Sequence, residues 1–222
     1  MKKLSAKEAT KALTLVELLV VLAVIAILAL MLIPATDHRP THAPSAACLN
    51  NLRQIGFGLE VWANDHNGQL PQQVSTTNGG SMEFMTGGSP APHFLTLTNE
   101  LRYLKTFYCP ADNSKQPATN PAAGFGDRNV SYFISVDATL AATNAVLAGD
   151  RNLQVGKQPV KPGFFALTTN VTLTWTRELH SRSFGKPCGN MLFADAHVER
   201  FGADLNAVVQ RQGLATNRLA IP

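Results

Sequence analysis

The pattern of apolar and polar residues changes character along the chain, and its first part is a continuous apolar run. Residues 13–33 carry one charged side chain, Glu17. A helix rises ~1.5 Å per residue, so this run would extend about 31 Å, close to the thickness of a bilayer core. The run therefore predicts a transmembrane helix over residues 13–33. A carboxylate in such a segment is costly and usually has a function and a partner.

A second helix is predicted after a proline-rich stretch. Pro40 and Pro44 oppose helical geometry, so we expect residues 34–44 to form a broken linker. Ser45 is a good N-cap for a helix over residues 45–64. Apolar side chains at helical spacing form one stripe, which predicts that this amphipathic helix packs on a sheet. The stripe contains Cys48, Leu49, Leu52, Ile55, Leu59 and Trp62.

The remaining pattern predicts an antiparallel sheet, mainly within residues 130–201. Residues 171–176 alternate between Val, Leu or Trp and Thr, as a half-buried strand does. Residues 190–193 and 198–201 flank a turn and indicate a hairpin. Strands that follow closely without intervening helices favour antiparallel pairing, whereas residues 71–129 read mostly as loops. The chain therefore predicts an α+β fold with a loop-rich head over residues 45–222, ending in a short helix and a surface tail.

The charge distribution limits the functions open to the chain. Residues 1–12 hold four lysines against one glutamate, which accounts for three of the four net positive charges. No basic face is left for nucleic acid. Because lysine-rich flanks stay cytoplasmic, we expect the N-terminus inside the cell and the head outside it.

A processing motif precedes the apolar run. Residues 12–21 read ALTLVELLVV, with a small residue, an apolar residue, Thr14 and then Glu17. This motif resembles the prepilin leader of type IV pilins and type II secretion pseudopilins, although Ala12 and Leu13 replace the usual Gly and Phe. Residues 48–56 and 67–71 also resemble G-type pseudopilins. The resemblance implies cleavage between Ala12 and Leu13 and methylation of the new terminus.

The resemblance further implies a pilin-like fold and a filament subunit rather than an enzyme. Its partners would be other pseudopilin subunits, a prepilin peptidase, an inner-membrane assembly platform and membrane lipid. Its location would be the bacterial inner membrane, with a cytoplasmic leader and a periplasmic head used in protein secretion. Glu17 of one subunit would then pair with the α-amine that cleavage creates at Leu13 of its neighbour.

Other residues leave alternatives open. Cys48, Cys109 and Cys188 are compatible with one disulfide or with three buried thiols. No cofactor is predicted, and calcium is left open without placed ligands, since residues 65–69 read better as a helix-ending turn than as a calcium loop.

The alternative function is an anchored, exported domain that binds a ligand or performs hydrolysis at a metal. Its candidate ligands are His180, Asp195 and His197, with Asp150. Structural roles for these side chains are the favoured interpretation, and no catalytic or metal residue is assigned. Ala196 stands at the hairpin turn where the resemblance has Gly, so a positive φ there would be strained.

Overall fold

The computed structural model describes residues 14–32, 42–120, 124–181 and 185–222, without the side chains of 30–32 and 42–43. The predicted cleavage residues Ala12 and Leu13 and most of the predicted linker lie outside these ranges. The chain divides into two compact units, Met1–Arg39 and Pro40–Pro222. We call the second the head unit and describe each unit by itself.

Helix α1 (Leu15–Leu32) is the element that the structure describes in the first unit. Its 18 residues extend about 27 Å at ~1.5 Å per residue, short of a ~30 Å bilayer core. Within the described ranges, no helix has both the length and the apolar character required to cross a membrane. The prediction of an N-terminal transmembrane helix is therefore wrong. The location in a bacterial inner membrane stays a prediction.

Helix α2 (His42–Asp65) opens the head unit and begins earlier than the sequence indicates. Pro44 falls in its first turn, where a missing N–H costs little, so the helix already covers the end of the predicted linker. Ser45 is not its N-cap, because it lies within the helix, three residues after His42. Its side chain is buried, and its Oγ has no hydrogen-bond partner among the described residues. The helix ends where Asn67 and Gly68 take positive φ values of 58° and 76°.

Short helical segments connect α2 to the sheet. Helix α3 spans Ala91–Leu95. Among the described residues, 3₁₀ turns are formed by Pro71–Gln73, Thr76–Asn78, Met82–Thr86, Thr96–Thr98, Leu104–Phe107 and Asp127–Asn129. Their apolar side chains, such as Phe94, Leu97 and Phe107, are fully buried, so this loop-rich region covers part of the core.

The described strands form a seven-stranded and a three-stranded sheet, and every pairing in them is antiparallel. The large sheet has the order β5-β10-β1-β2-β8-β7, with β9 paired to β8, and the small sheet has the order β4-β3-β6. The strands are β1 (Tyr132–Ser135), β2 (Val146–Asp150), β3 (Leu153–Val155), β4 (Gln158–Pro159), β5 (Gly163–Thr168), β6 (Leu173–Trp175), β7 (His180–Ser181), β8 (Pro187–Phe193), β9 (Val198–Phe201) and β10 (Thr216–Ile221). The fold is thus α+β, as the sequence predicts.

The large sheet is buried on both faces because its side chains alternate between two cores. Tyr132 and Ile134 of β1 pack with the α2 stripe, whereas Phe133 between them packs on the other side. The second core joins the small sheet and helix α4 (Asn206–Arg211), through Trp175 and Val208 among others. The head unit therefore has three layers, with α2 and the loops on one face of the sheet.

The C-terminal residues differ most from the sequence interpretation. The expected surface tail is strand β10, which lies between β5 and β1 in the interior of the sheet. Leu219 and Ala220 are fully buried there, and Arg218 pairs in register with Ala166 of β5. The prediction of a surface tail is therefore wrong, because a six-residue strand at a chain end shows little periodicity until its two neighbours are known.

Candidate functional site

The N-terminal end of α1 shows an intrachain partner for Glu17. The backbone N–H and the hydroxyl of Thr14 donate to Oε2 of Glu17, at 2.9 and 2.8 Å. The backbone N–H of Glu17 points back to Oγ1 of Thr14 at 3.3 Å. This reciprocal pattern is a capping box, which satisfies two of the free N–H groups of the first turn. Glu17 therefore has a local structural use that the sequence interpretation missed, although the T-x-x-E spacing was visible.

The rest of α1 presents apolar side chains on every side. Their exposed fractions run from 49% at Val21 to 76% at Leu15, so no side of the helix is covered over residues 15–28. A helix that is apolar all round is normally buried in a larger assembly or another apolar environment. This surface is the strongest functional feature of the first unit.

A disulfide joins α2 to the loop before β1 in the head unit. Cys48 and Cys109 are bonded and both are fully buried, which decides between the open alternatives for the three cysteines. Cys188 is buried on β8, outside this bond. The amide of Asn51 donates to the backbone oxygen of Tyr108 at 2.8 Å, so the same two segments are also held by a polar contact.

A buried histidine and a buried aspartate lie beside the disulfide. Nε2 of His180 on β7 is 3.5 Å from Sγ of Cys109 and 3.4 Å from Oδ2 of Asp150 at the end of β2. The same Oδ2 accepts hydrogen bonds from the backbone N–H and the side-chain amide of Asn190, at 2.7 and 2.8 Å. Four elements thus bring sulfur, imidazole and carboxylate together in one dry site.

Burial sets the protonation of this cluster. Desolvation raises the pKa of Asp150 to about 7, although the two hydrogen bonds from Asn190 oppose the shift. Desolvation also lowers the pKa of His180 to about 4, so the imidazole is neutral at neutral pH. A neutral imidazole has one lone pair, which is available to a hydrogen bond or to a metal.

The predicted group of His180, Asp195, His197 and Asp150 is only partly assembled. Asp195 and His197 form their own exposed pair in the turn between β8 and β9, where His197 stacks on Phe193. Among the described residues, the set of His, Cys, Asp or Glu close enough to share an ion is Cys48, Cys109 and His180. The spacing of the sequence could not indicate this set, because its members are separated by 61 and 71 residues.

Two turns have the geometry that their sequences suggest. Ala196 takes a φ of 61° in the β8–β9 hairpin, a conformation that costs a residue with a Cβ about 1 kcal/mol. Residues 65–69 form the turn that ends α2, and the N–H of Gly68 donates to the carbonyl of Ala63 at 2.8 Å.

Compared with protein-family models, with curated proteins and with solved structures, the chain shows no match. Its function has to be inferred from its own residues and geometry.

Proposed function

We propose that the chain is the subunit of a pilin-like filament, in which the α1 helices of neighbouring copies pack together. The observation that carries this proposal is the exposed surface of α1, which is apolar on every side beyond Glu17. Leucine, valine and isoleucine side chains each gain about 1.5–3 kcal/mol when fully removed from water. A helix with this surface on all sides can have several neighbours at once, as the centre of a helical bundle requires.

The cleavage motif supports an assembly in which the mature chain begins at Leu13. Cleavage after Ala12 removes the four lysines of residues 1–12 and leaves an α-amine two residues before the start of α1. The prepilin peptidase and the assembly platform remain the partners that the resemblance implies. The proposed setting is a type II secretion-like or type IV pilus-like filament, and the subunit is proposed as structural rather than enzymatic.

Glu17 is proposed to set the register between neighbours. Its carboxylate is held at the end of α1 by Thr14, so it needs little further ordering to meet the amine of another copy. Two charges in an apolar bundle are costly unless they are paired, so a shifted neighbour would leave both unpaired. The packing energy then comes from the apolar side chains and the register from the charge pair.

The test separates the charge of Glu17 from its capping function. The full chain is produced in cells together with a prepilin peptidase and an assembly platform, and filaments are counted by electron microscopy. We expect Glu17→Leu and Glu17→Gln to abolish filaments, because both lack the charge. Gln still accepts the bonds from Thr14, since a glutamine also completes a capping box.

The matched control is Thr14→Val, which weakens the cap but keeps the carboxylate. We expect this variant to form filaments and the mature wild-type chain to begin at Leu13 by mass spectrometry. Normal filaments with Glu17→Gln, together with their loss in Thr14→Val, would show that Glu17 acts only as a cap. A mature chain that begins at Met1 would contradict the filament proposal itself.

A further inference from the structure

The disulfide site of the head unit contains a set of donor atoms that the proposed filament does not use. Sγ of Cys48, Sγ of Cys109 and Nε2 of His180 all lie within 4.8 Å of one another. Oδ2 of Asp150 is 3.4 Å from the same Nε2. All four residues are at most 3% exposed, so water does not compete for them.

Two separations at Nε2 of His180 match two of the six edges of a tetrahedral zinc site. With Zn–S bonds of about 2.3 Å and Zn–N and Zn–O bonds of about 2.1 Å, ligand atoms lie about 3.6 Å apart for S to N and about 3.4 Å for N to O. The observed separations are 3.5 Å to Sγ of Cys109 and 3.4 Å to Oδ2 of Asp150. Two sulfurs that share a zinc ion lie about 3.8 Å apart, which becomes accessible once the bond between them is broken.

We propose that the reduced chain binds one Zn²⁺ through Cys48, Cys109 and His180, with the Asp150 carboxylate moving in as the fourth ligand, and that the zinc complex and the disulfide are alternative states of this site. Two thiolates, an imidazole and a carboxylate form an N, S and O set that suits zinc. This inference does not depend on the filament proposal, because it concerns the head unit alone.

The two oxygens of the Asp150 carboxylate differ in their contacts. Its Oδ2 is held by the backbone N–H and the amide of Asn190, and Oδ1 is buried with no hydrogen-bond partner among the described residues. The guanidinium of Arg200 donates to Oδ1 of Asn190 at 3.2 Å, which places a positive charge behind the anionic ligands. Supporting contacts of this kind orient the first ligands and raise metal affinity.

The ligands come from four elements that the fold already holds together. Cys48 is on α2, Cys109 is in the loop before β1, Asp150 ends β2, and His180 begins β7. Side chains on separate rigid elements lose little freedom when they bind an ion. The site therefore needs the separation of the two sulfurs and a shift of the Asp150 carboxylate toward them.

The two states interconvert by thiol–disulfide exchange with a small-molecule dithiol. A small-molecule dithiol reduces the disulfide, giving two cysteine thiols, while the dithiol is oxidised to its own disulfide. Zn²⁺ then replaces the two thiol protons, which are released to solvent. In the reverse direction, loss of zinc and transfer of two electrons to an oxidised dithiol restore the bond between Cys48 and Cys109.

The test compares the oxidised and reduced full chain. The chain is reduced with a dithiol, freed of metal and titrated with Zn²⁺ against a chromophoric chelator. We expect one zinc per reduced chain and none per oxidised chain. Cobalt in place of zinc should give the spectrum of a tetrahedral ion with thiolate charge-transfer bands, which requires no variant.

Matched variants are compared in the reduced state, where no chain has the disulfide. Cys48→Ser, Cys109→Ser and His180→Ala should each weaken zinc binding more than about 100-fold, since loss of an outer contact alone costs about 10–100-fold. Cys188→Ser and His197→Ala are the controls and should bind zinc as the wild type does. Less than one zinc per reduced wild-type chain, or equal losses in the controls, would overturn the proposal.

Discussion

The two long helices of this protein use the same residue types in opposite ways. In α1 the apolar side chains surround the helix and are about half to three-quarters exposed. In α2 most of them form one stripe, and Leu52, Ile55 and Leu59 on it are completely buried, although Phe57 outside the stripe is 63% exposed. A stripe can be covered by one sheet within the chain, whereas a helix that is apolar all round cannot. The difference shows that α2 is covered within its own unit, whereas α1 keeps an exposed apolar surface, on which the filament proposal rests.

The close contact of α2 with the sheet shows how complete its burial is. A Cβ added at Gly56 would lie 2.7 Å from Cδ1 of Leu192 on β8, so a larger residue here would force the Leu192 side chain to move. The opposite side of α2 carries polar side chains such as Arg53 and Glu60, which are exposed. The helix therefore has a definite inner and outer side, which α1 lacks.

The largest expected effect on stability comes from the disulfide that joins α2 to the loop before β1. Replacing both Cys48 and Cys109 by Ala releases a loop with a sequence separation of 61 residues. Restoring the entropy of that loop in the unfolded chain should lower the free energy of unfolding by about 4 kcal/mol. Urea unfolding of the oxidised chain, followed by tryptophan fluorescence, measures the change.

The control for this double variant is Cys188→Ala, which removes a buried sulfur without opening a loop. We expect it to cost about 1 kcal/mol. If the double variant unfolds at the same urea concentration as the control, the disulfide is not what holds α2 to the loop before β1.

The second prediction contrasts one leucine from each helix. Leu59→Ala on α2 leaves a cavity in a closed core and should lower the free energy of unfolding of the head unit by about 3 kcal/mol. Leu22→Ala on α1 changes an exposed side chain and should alter it by less than about 0.5 kcal/mol. Both tryptophans, Trp62 and Trp175, lie in the head unit, so urea unfolding followed by their fluorescence reports on this unit.

In filament assembly we expect the opposite ranking, with Leu22→Ala more harmful than Leu59→Ala. Leu22→Ala is expected to reduce the number of filaments although the head unit stays as stable as the wild type. A loss of head stability with Leu22→Ala as large as that with Leu59→Ala would remove the distinction between the two helices.

The smallest expected effect is on the pH dependence of the free energy of unfolding of the head unit. Asp112 is 1% exposed, and its carboxylate accepts two bonds from the guanidinium of Arg151, at 2.7 and 2.8 Å. Burial alone would raise the pKa of Asp112, but the bonds from Arg151 and Ser114 outweigh it and lower the pKa. The unfolded chain, with an aspartate pKa of about 3.9, therefore takes up this proton first as the pH falls.

Stability from this ion pair should thus be complete at neutral pH and decline as the pH falls below about 4. Asp112→Asn should lower the free energy of unfolding by about 2 kcal/mol at pH 7, and the gap to wild type should narrow towards pH 3. Urea unfolding at several pH values measures both curves. Glu60→Gln, at an exposed position of α2, is the control, and a constant gap for Asp112→Asn would contradict the prediction.

The local parts of the fold were predictable because short-range periodicity reports them. The α2 stripe, the alternation around Leu173 and Trp175, and the β8–β9 hairpin all have patterns that fit within a dozen residues. The antiparallel pairing followed from the short connections between the strands. The start of α1 was also readable from Thr14 and Glu17, yet the length of the apolar run favoured a longer, transmembrane helix.

By itself, the sequence determined the α+β class and the buried side of α2, and it predicts processing at Ala12 and Leu13 and assembly through Glu17. Only the tertiary structure decided that Cys48 pairs with Cys109, that His180 and Asp150 meet beside them, and that the last strand lies inside the sheet. The physical reason is the distance along the sequence between the residues in contact. Periodicity and capping depend on neighbours within a few residues, whereas these contacts join side chains that become close only when the whole sheet is paired.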